Sequence, residues 1–595
     1  MDPSKAGTVV GIASWICIPS YYHISEDALC PTVSFNSISN LIMSQPAAVP
    51  SQSEKPTQAH LEDMSIQPQD DPDAKVDGYD SYGLVKSRYD ELSIPRTVWV
   101  FRRVVLVSLA VYTGYVCEGF ELGAGGSVVA NKGFIKEFGT TGGAGVRALD
   151  PPWLSTWSAL LNVGQIITFT YISWFADRYG RKASFYLAWI WLVVGCVFLN
   201  TAKSPSVWAL AKLCNGAGIG ILQVTCQVYI MEICPNRIRG GMITFSSVWN
   251  NIGGIVTSVM MQQLNQKHPD NYLLAMRILW IPIGIMIVFW IFIPESPWFH
   301  ARRGNKEKAM KSMRQLYSGV DEYDFEEEYG IIARTIEHEK SQLEDEPRFI
   351  HVFQGLNLKR TLTVMVLAVC QQLAGLAIIS TYSTYFFSLA GLEDPFLGTV
   401  ILSCCNLLAV ILWSLSTDKI GRRLIINCCQ TFVCAILFVV GGLHWTGATS
   451  GNTAAATGLL VICCFWTFSF QLIAMSYYLY SAELPSALLR IKTGPVTFFS
   501  NSIMGIATCY ATPPMLLSLS LKTGFVYGAF SVPICIIMWL YLPETKGRSA
   551  AEIDELYERK IPAWRWEKTV TAAEEQMQLV VQVKGAVRDA KGEKV

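Results

Sequence analysis

The sequence predicts an all-α, polytopic membrane protein: twelve transmembrane helices in two pseudo-symmetric six-helix bundles, joined by a cytoplasmic helical segment. Three observations predict it: scarce charge outside long apolar blocks, basic loops confined to one side, and an internal repeat. Of 595 residues, 51% are hydrophobic and 16% charged, where soluble chains carry about 25% charged residues. Mean hydropathy is +0.32 although polar tails are averaged in. The apolar blocks approach the roughly 20 residues that a helix needs to cross about 30 Å of hydrocarbon.

Residues 1–100 read as a disordered cytoplasmic N-terminal tail, because Ser, Pro, Gln and Asp dominate from about 36 to 82. The apolar stretch 9–22 is too short to span and has no basic residues ahead of an apolar core in the manner of a signal peptide. Met43 is an alternative start. The first bundle, 101–298, is expected to hold spans at 104–130, 153–175, 183–200, 207–234, 242–263 and 278–293. A charged intracellular helical loop follows at 299–360, in which KEKAMKSMRQLY (306–317) has the spacing of an amphipathic helix on a membrane surface. The second bundle, 361–542, is expected to hold spans at 361–390, 395–416, 424–444, 457–482, 493–518 and 524–542, and 543–595 to form a cytoplasmic tail.

Orientation follows from Lys and Arg in the short loops. DRYGRK (177–182) lies between spans two and three, and DKIGRR (418–423) between spans eight and nine. Both loops are therefore expected in the cytoplasm, with both termini and the central loop, in a multi-pass protein whose default address is the plasma membrane. These two loops are also a repeat. EICPNRIR (232–239) recurs as ELPSALLR (483–490), and Pro294-Glu295-Ser296 as Pro543-Glu544-Thr545. All three pairs share an offset of roughly 240–250 residues, which implies two homologous halves with a site between them near the midplane.

Composition narrows the function. The 47 basic and 47 acidic residues cancel, so nucleic acid is not an expected partner. The 17 cysteines fall mostly in apolar blocks, several as adjacent pairs such as Cys404-Cys405, without the spacing of metal ligands or of a disulfide framework. No Walker loop, HExxH or nucleophile elbow is present, so an enzyme is not expected, nor a metal or a cofactor. The expected partners are a small-molecule substrate and the lipid bilayer. The doubled charges point to gating: Asp177, Arg178, Arg181, Glu232 and Arg239 in one half, and Asp418, Arg422, Arg423, Glu483 and Arg490 in the other. They are expected to form a network that locks the inner gate when the outer side is open. Snorkelling topology determinants are the plainer reading of either motif taken alone.

These motifs, over about 102–560, resemble the sugar porter family of the major facilitator superfamily. The family carries a [DE]-R-x-G-R-[RK] loop in each half, a PESPR-like end to span six, a QQ-x-x-G start to span seven and a PETKG end to span twelve. Here these read DRYGRK, DKIGRR, PESPWF, Gln371-Gln372-Leu373-Ala374-Gly375 and PETKGR. The run GLAIISTYSTYFFSLAG (375–391) resembles the fungal branch of alpha-glucoside and hexose permeases.

The resemblance implies the major facilitator fold and transport of a mono- or disaccharide by alternating access, with proton symport. It places Glu121 on the proton-coupling carboxylate of span one and Lys212 on the Arg of span four. Burial favours a protonated acid and a nearby cation an ionised one, so such a pair can act as a proton switch. The resemblance further implies substrate-binding roles for Gln371, Gln372, Tyr382, Asn406, Tyr478 and Asn501, as amides and aromatic faces suit sugars. Three positions depart from the family: Ala377 replaces an Asn, Ala474-Met475 a Gly-Pro, and Ser247 a sugar-contacting Gln. They favour a larger or less polar substrate than a simple hexose. Two other functions stay open: carriage of a non-sugar secondary metabolite by the same body, and a non-transporting sugar sensor.

Overall fold

A computed structural model describes residue 89 and residues 92–571, apart from 142–146, 321–322, 345–348, 447–452, 486–488, 547 and 549. The stretch 9–22, Met43 and most of the expected N-terminal tail lie outside the described residues, as does 572–595.

Among the described residues the first half holds six long helical segments, with short helices at Ile94–Val100 and Lys132–Phe138 on either side of the first: α1 (Arg102–Val128), α2 (Pro151–Tyr179), α3 (Arg181–Thr201), α4 (Pro205–Ile233), α5 (Asn236–Lys267) and α6 (Tyr272–Phe292, broken at Leu279). Proline opens α2 and α4, where its missing N–H costs nothing. Gly180 separates α2 from α3 at φ +103°, in the left-handed region that a side chain would strain. The second half repeats the plan with α7 (Gly355–Leu373, resumed at Ser383–Leu389), α8 (Pro395–Ile420), α9 (Arg422–Gly442), α10 (Thr453–Glu483), α11 (Arg490–Leu519) and α12 (Thr523–Tyr541). Gly421, at φ +102°, repeats the turn of Gly180.

Among the described residues, nine stretches are long and apolar enough to cross a membrane by length and composition, one of them running through α11 and α12. The segments outside those nine are α5 and α7. The first carries Asn250-Asn251 and Gln262-Gln263, and the second opens with Lys359-Arg360. For the same reason the sequence underestimates both: α5 starts at Asn236 rather than 242 and α7 at Gly355 rather than 361, because their first turns are polar and leave the apolar block.

Helix pairing follows the repeat. α1 packs on α5 as α7 packs on α11, α2 on α4 as α8 on α10, and α3 on α4 as α9 on α10. The halves meet through α2 against α11 and α5 against α8, two contacts that the pseudo-twofold exchanges. Close approach depends on glycine. A methyl group on Gly216 of α4 would fall on the Leu161 carbonyl of α2, and one on Gly164 of α2 on the Leu213 carbonyl of α4. Gly216→Ala is therefore expected to force the two helices apart at about 1–3 kcal/mol, read as a lower melting temperature of the detergent-solubilised protein.

α7 is not the continuous span that hydropathy predicts. It breaks at Ala374-Gly375, where Gly375 takes φ +88° and leaves room for the Trp466 ring of α10. The Trp466 indole N–H donates to the freed Ala374 carbonyl at 2.9 Å, and a wide π-type turn at Ala377–Thr381 restores the helix. Such breaks survive at membrane depth only where protein or a cavity surrounds them.

The charged connection forms helices at Pro297–Arg302, Lys306–Tyr317 and Phe325–Glu344. The expected membrane-surface placement of 306–317 is corrected. Its apolar stripe, with Met310, Met313, Leu316 and Tyr317, is buried against protein, and the Tyr317 hydroxyl donates to the Ile233 carbonyl at 3.0 Å. After α12, a helix at Ala550–Glu558 and a turn at Ala563–Lys568 close over Trp566, which is 1% exposed. Asp554 pairs with Arg360 at the start of α7, whose guanidinium also lies 4.6 Å from the Tyr557 ring.

Candidate functional site

A cavity of about 310 Å3 lies between the halves, at the small end of the range for small-molecule sites. α1, α2, α4 and α5 line it on one side and α7, α8 and α11 on the other. The helical period sets the lining. Ser158, Leu161, Asn162 and Gln165 share one face of α2, and Asn250, Gly254 and Ser258 one face of α5. Away from the basic loops, hydrogen bonds cross from half to half. The Ser155 hydroxyl donates to the Tyr510 carbonyl at 2.8 Å, the Thr384 hydroxyl to the Ser127 hydroxyl at 3.2 Å, and the Gln266 amide to Asp394 at 3.4 Å.

The charged groups that line the cavity are Glu121 and Lys212, and they face each other. Lys212 Nζ lies 3.0 Å from Glu121 Oε1, with the side chains 6% and 2% exposed. Asn215, one turn along α4 from Lys212, donates to the same carboxylate oxygen at 2.5 Å. Gly125, one turn along α1 from Glu121, leaves room for the ammonium group, where a methyl would meet Lys212 Nζ. Glu118 turns instead into the α1–α4 contact, where Gln223 donates to it at 2.7 Å.

The substrate-binding candidates separate on the structure. Gln372 and Asn406 line the cavity. Gln372 donates to Asn501 Oδ1 at 3.0 Å and accepts from the Thr508 hydroxyl at 3.4 Å, so Asn501 stands behind Gln372 rather than in the described lining. Gln371 is buried beside it, outside the described lining. Tyr382 is 1% exposed, and its hydroxyl reaches the carbonyls of Leu154 at 3.3 Å and Cys509 at 3.2 Å. It is thus used in closing the halves together. The side chain of Tyr478 lies outside the described residues. Ala377 lines the cavity as an apolar surface.

Sequence reasoning passed over the first-half amides Asn162, Gln165, Asn215, Asn250 and Asn251. A signal existed: each interrupts an expected span, and Asn250-Asn251 falls in α5, which is not among the nine apolar stretches of the described residues.

The paired loop motifs form matching assemblies at the opposite end. In the first half Arg181 bonds Glu232 and Asp177, both at 2.9 Å, while in the second Arg422 bonds Glu483 at 3.0 Å. The glutamates of the PE motifs close the helix starts. Glu295 accepts from the Arg181 and Lys182 backbone N–H groups at 2.9 and 3.1 Å, and Glu544 from those of Arg422 and Arg423 at 3.1 and 3.0 Å. Each carboxylate thus meets the orphan donors and positive end of a helix dipole. Burial pushes the Glu295 carboxyl up, opposed by the backbone bonds from Ser296, Lys182 and Arg181 and by the charge of Arg181. Tyr229 and Tyr480 donate to the Pro294 and Pro543 carbonyls at 2.6 and 2.8 Å. Arg423 donates to the Trp539 carbonyl at 2.8 Å, and Arg178 stands 5.9 Å from the Trp174 ring. Arg239 sits in the first turn of α5, and the side chains of Asp418 and Arg490 lie outside the described residues.

Residues 106–557 match the family Sugar (and other) transporter. The chain is 27% identical over 508 residues to the General alpha-glucoside permease of Saccharomyces cerevisiae, covering 83% of this chain and 82% of that protein. It is 27% identical over 462 residues to MFS transporter fmqE of Aspergillus fumigatus, covering 75% and 84%. Among solved structures it is similar to the partially occluded inward-open form of the xylose transporter XylE from E. coli. There the TM-score is 0.61 at 17% identity, over 75% of this chain and all of that one. That likeness establishes the major facilitator fold, and the family match with the nine apolar stretches among the described residues an integral, multi-pass membrane protein. The match across most of the sequence places this chain in the Sugar (and other) transporter family.

Proposed function

We propose that this protein carries a sugar, a mono- or disaccharide, across the membrane by alternating access and in symport with protons. One observation carries the reading: Glu121 and Lys212 form a buried ion pair on the wall of the cavity between the halves. A carboxylate there is costly unless it has a partner or a task, about 2.5–3.5 kcal/mol on insertion scales. Binding of substrate beside the pair links its geometry to occupancy of the cavity. The General alpha-glucoside permease and Maltose permease MAL31, both of Saccharomyces cerevisiae, support sugar as the cargo. A solved relative described as a proton:xylose symporter supports the coupling.

In this reading all twelve helical segments span the plasma membrane, with both termini and the connection between the halves in the cytoplasm. The hydrogen bonds between the halves at the end away from the basic loops then close the outer side, so the cavity is released inward. The loop assemblies around Arg181 and Arg422 hold the cytoplasmic helix ends together in each half as the halves rock. The cavity lining moves and binds its cargo and transforms no bond.

The test is uptake of labelled glucose, maltose and a sugar acid in cells stripped of their own carriers, at pH 5 and pH 7, with and without a protonophore. Faster uptake of a sugar at pH 5 that the protonophore abolishes is the expected result. Correctly localised protein that takes up none of them contradicts the reading, and moves the assignment to a non-sugar metabolite.

A further inference from the structure

The chain enters α1 through the short helix Ile94–Val100, and one side of that helix is fixed to protein. Thr97 is buried, with its hydroxyl donating to the Ser93 carbonyl at 3.0 Å. Phe101, which follows, packs edge-on against the rings of Tyr89 and Tyr317 at 5.4 and 6.0 Å. The other side is open. Trp99 is 69% exposed and Ile94 55%, with Val98 exposed beside them. Large apolar side chains held outward together by an anchored helix mark a surface that meets something else. Position says what. Leu106, 63% exposed, follows Trp99 by seven residues, about two helical turns, in the part of α1 that is apolar enough to span. Trp99 thus continues the lipid-facing side of α1 about 10 Å beyond Leu106, at the boundary where Trp gathers.

Charge says which lipid. Between Leu92 and Cys117 the sequence has three arginines and no acidic residue. Arg103 is used within the protein, where it donates to the Ser318 hydroxyl. Arg96 and Arg102 are exposed, and neither meets a carboxylate among the described residues. The Arg102 guanidinium lies 5.6 Å from the Trp99 ring. The second half treats the matching place differently, because its own chain covers it. Arg360, at the start of α7, is buried against Asp554 and Tyr557 of the segment after α12.

We propose that Arg96, Trp99 and Arg102 form a docking site for an anionic phospholipid at the entry to α1, with the indole at the acyl boundary and the two guanidinium groups on the headgroup. This goes beyond the carriage of cargo and does not depend on it. An indole offers an apolar body with one polar N–H, which suits a surface that is apolar on one side and wet on the other. A guanidinium pairs with phosphate through two parallel hydrogen bonds and is weakly hydrated, so it leaves water readily for a headgroup. Each basic side chain near an anionic leaflet raises affinity about fivefold. Phe101 joins the site to Tyr317 of the connection between the halves, so a lipid held here also fixes the entry of α1 against that connection.

The experiment offers the purified full chain equal amounts of phosphatidylserine and phosphatidylcholine, and counts the lipids retained by native mass spectrometry. Wild-type protein is expected to prefer phosphatidylserine by about twentyfold, from two arginines at about fivefold each. Arg96→Gln and Arg102→Gln should each lose about fivefold of that preference, and the double variant nearly all of it. Arg102→Lys should keep most of it. Trp99→Ala should weaken retention of both lipids alike and leave the preference. Raising ionic strength from about 0.1 to 1 M should shrink the wild-type preference, because the screening length falls from about 10 to 3 Å. Glycerophosphoserine, the headgroup without its chains, should not displace the lipid. Melting temperature in detergent confirms that each variant folds. Wild-type protein with no preference for phosphatidylserine overturns the inference, as does a preference unchanged in the double Gln variant. Glycerophosphoserine that displaces the lipid also overturns it, since the site then takes a soluble anion rather than a membrane surface.

Discussion

Glu121→Gln is expected to abolish proton-driven accumulation while leaving sugar exchange across the membrane. The amide keeps the size and part of the hydrogen bonding of the acid but takes up no proton at working pH. Uptake should then lose its dependence on pH and protonophore and stop at the external concentration. The partner gives the complementary result. Lys212→Met leaves Glu121 buried, held by the Asn215 amide at 2.5 Å but without its cation. Removing one partner of a buried pair costs about 3–5 kcal/mol. Lys212→Met should therefore melt early, or take a proton onto Glu121 and stay uncoupled. The double variant Glu121→Gln with Lys212→Met removes both charges and should recover the melting temperature without recovering coupling. Lys212→Arg keeps the cation and should retain both. Melting curves of the four proteins, set beside uptake, separate stability from coupling.

Arg181→Ala is expected to have the largest effect outside the cavity. Its guanidinium is buried and bonds Glu232, Asp177 and the Ala176 carbonyl, each at 2.9 Å. Truncation strands Glu232, whose side chain is 9% exposed, while Glu295 stays on the backbone N–H groups of residues 181 and 182. A cost of about 3–5 kcal/mol follows from the same argument, and uptake per molecule at the surface should fall at least about tenfold. Arg181→Lys keeps the charge but cannot bridge two carboxylates with a planar fork, so it should recover stability in part and transport less. Uptake normalised to surface protein, with the melting temperature, checks this.

Much of the fold was legible because its signals repeat. DRYGRK and DKIGRR mark the same turn twice, and the structure gives Gly180 and Gly421 the same positive φ. The PE motifs stood out as markers of the repeat, yet their chemistry did not: that Glu295 and Glu544 seat on backbone N–H groups depends on a fold that brings 295 beside 181 and 544 beside 422. The break in α7 was hidden because Ala374, Gly375 and Ala377 read as apolar helix. Only the Trp466 ring from a distant span shows why the chain turns there.

The site was less legible. Glu121 and Lys212 could be named from the family resemblance, and the fold brings them to 3.0 Å across 91 residues of sequence. Tyr382, chosen as a sugar-stacking ring, is instead packed away with its hydroxyl on two carbonyls. An aromatic side chain in a span looks the same to the sequence whether it faces a cavity or a neighbouring helix. Gln165 and Asn250 were missed for the converse reason. A single amide in an apolar run reads as helix glue until the fold shows the cavity that it lines.

We propose that the buried Glu121–Lys212 pair couples cargo to protons. It is tested most directly in proteoliposomes holding the purified full chain and a pH-sensitive dye, with an inward sugar gradient and no imposed pH gradient. Sugar is expected to drive protons inward with wild-type protein, and Glu121→Gln to carry sugar without protons. Equal sugar-driven acidification with both proteins would contradict it.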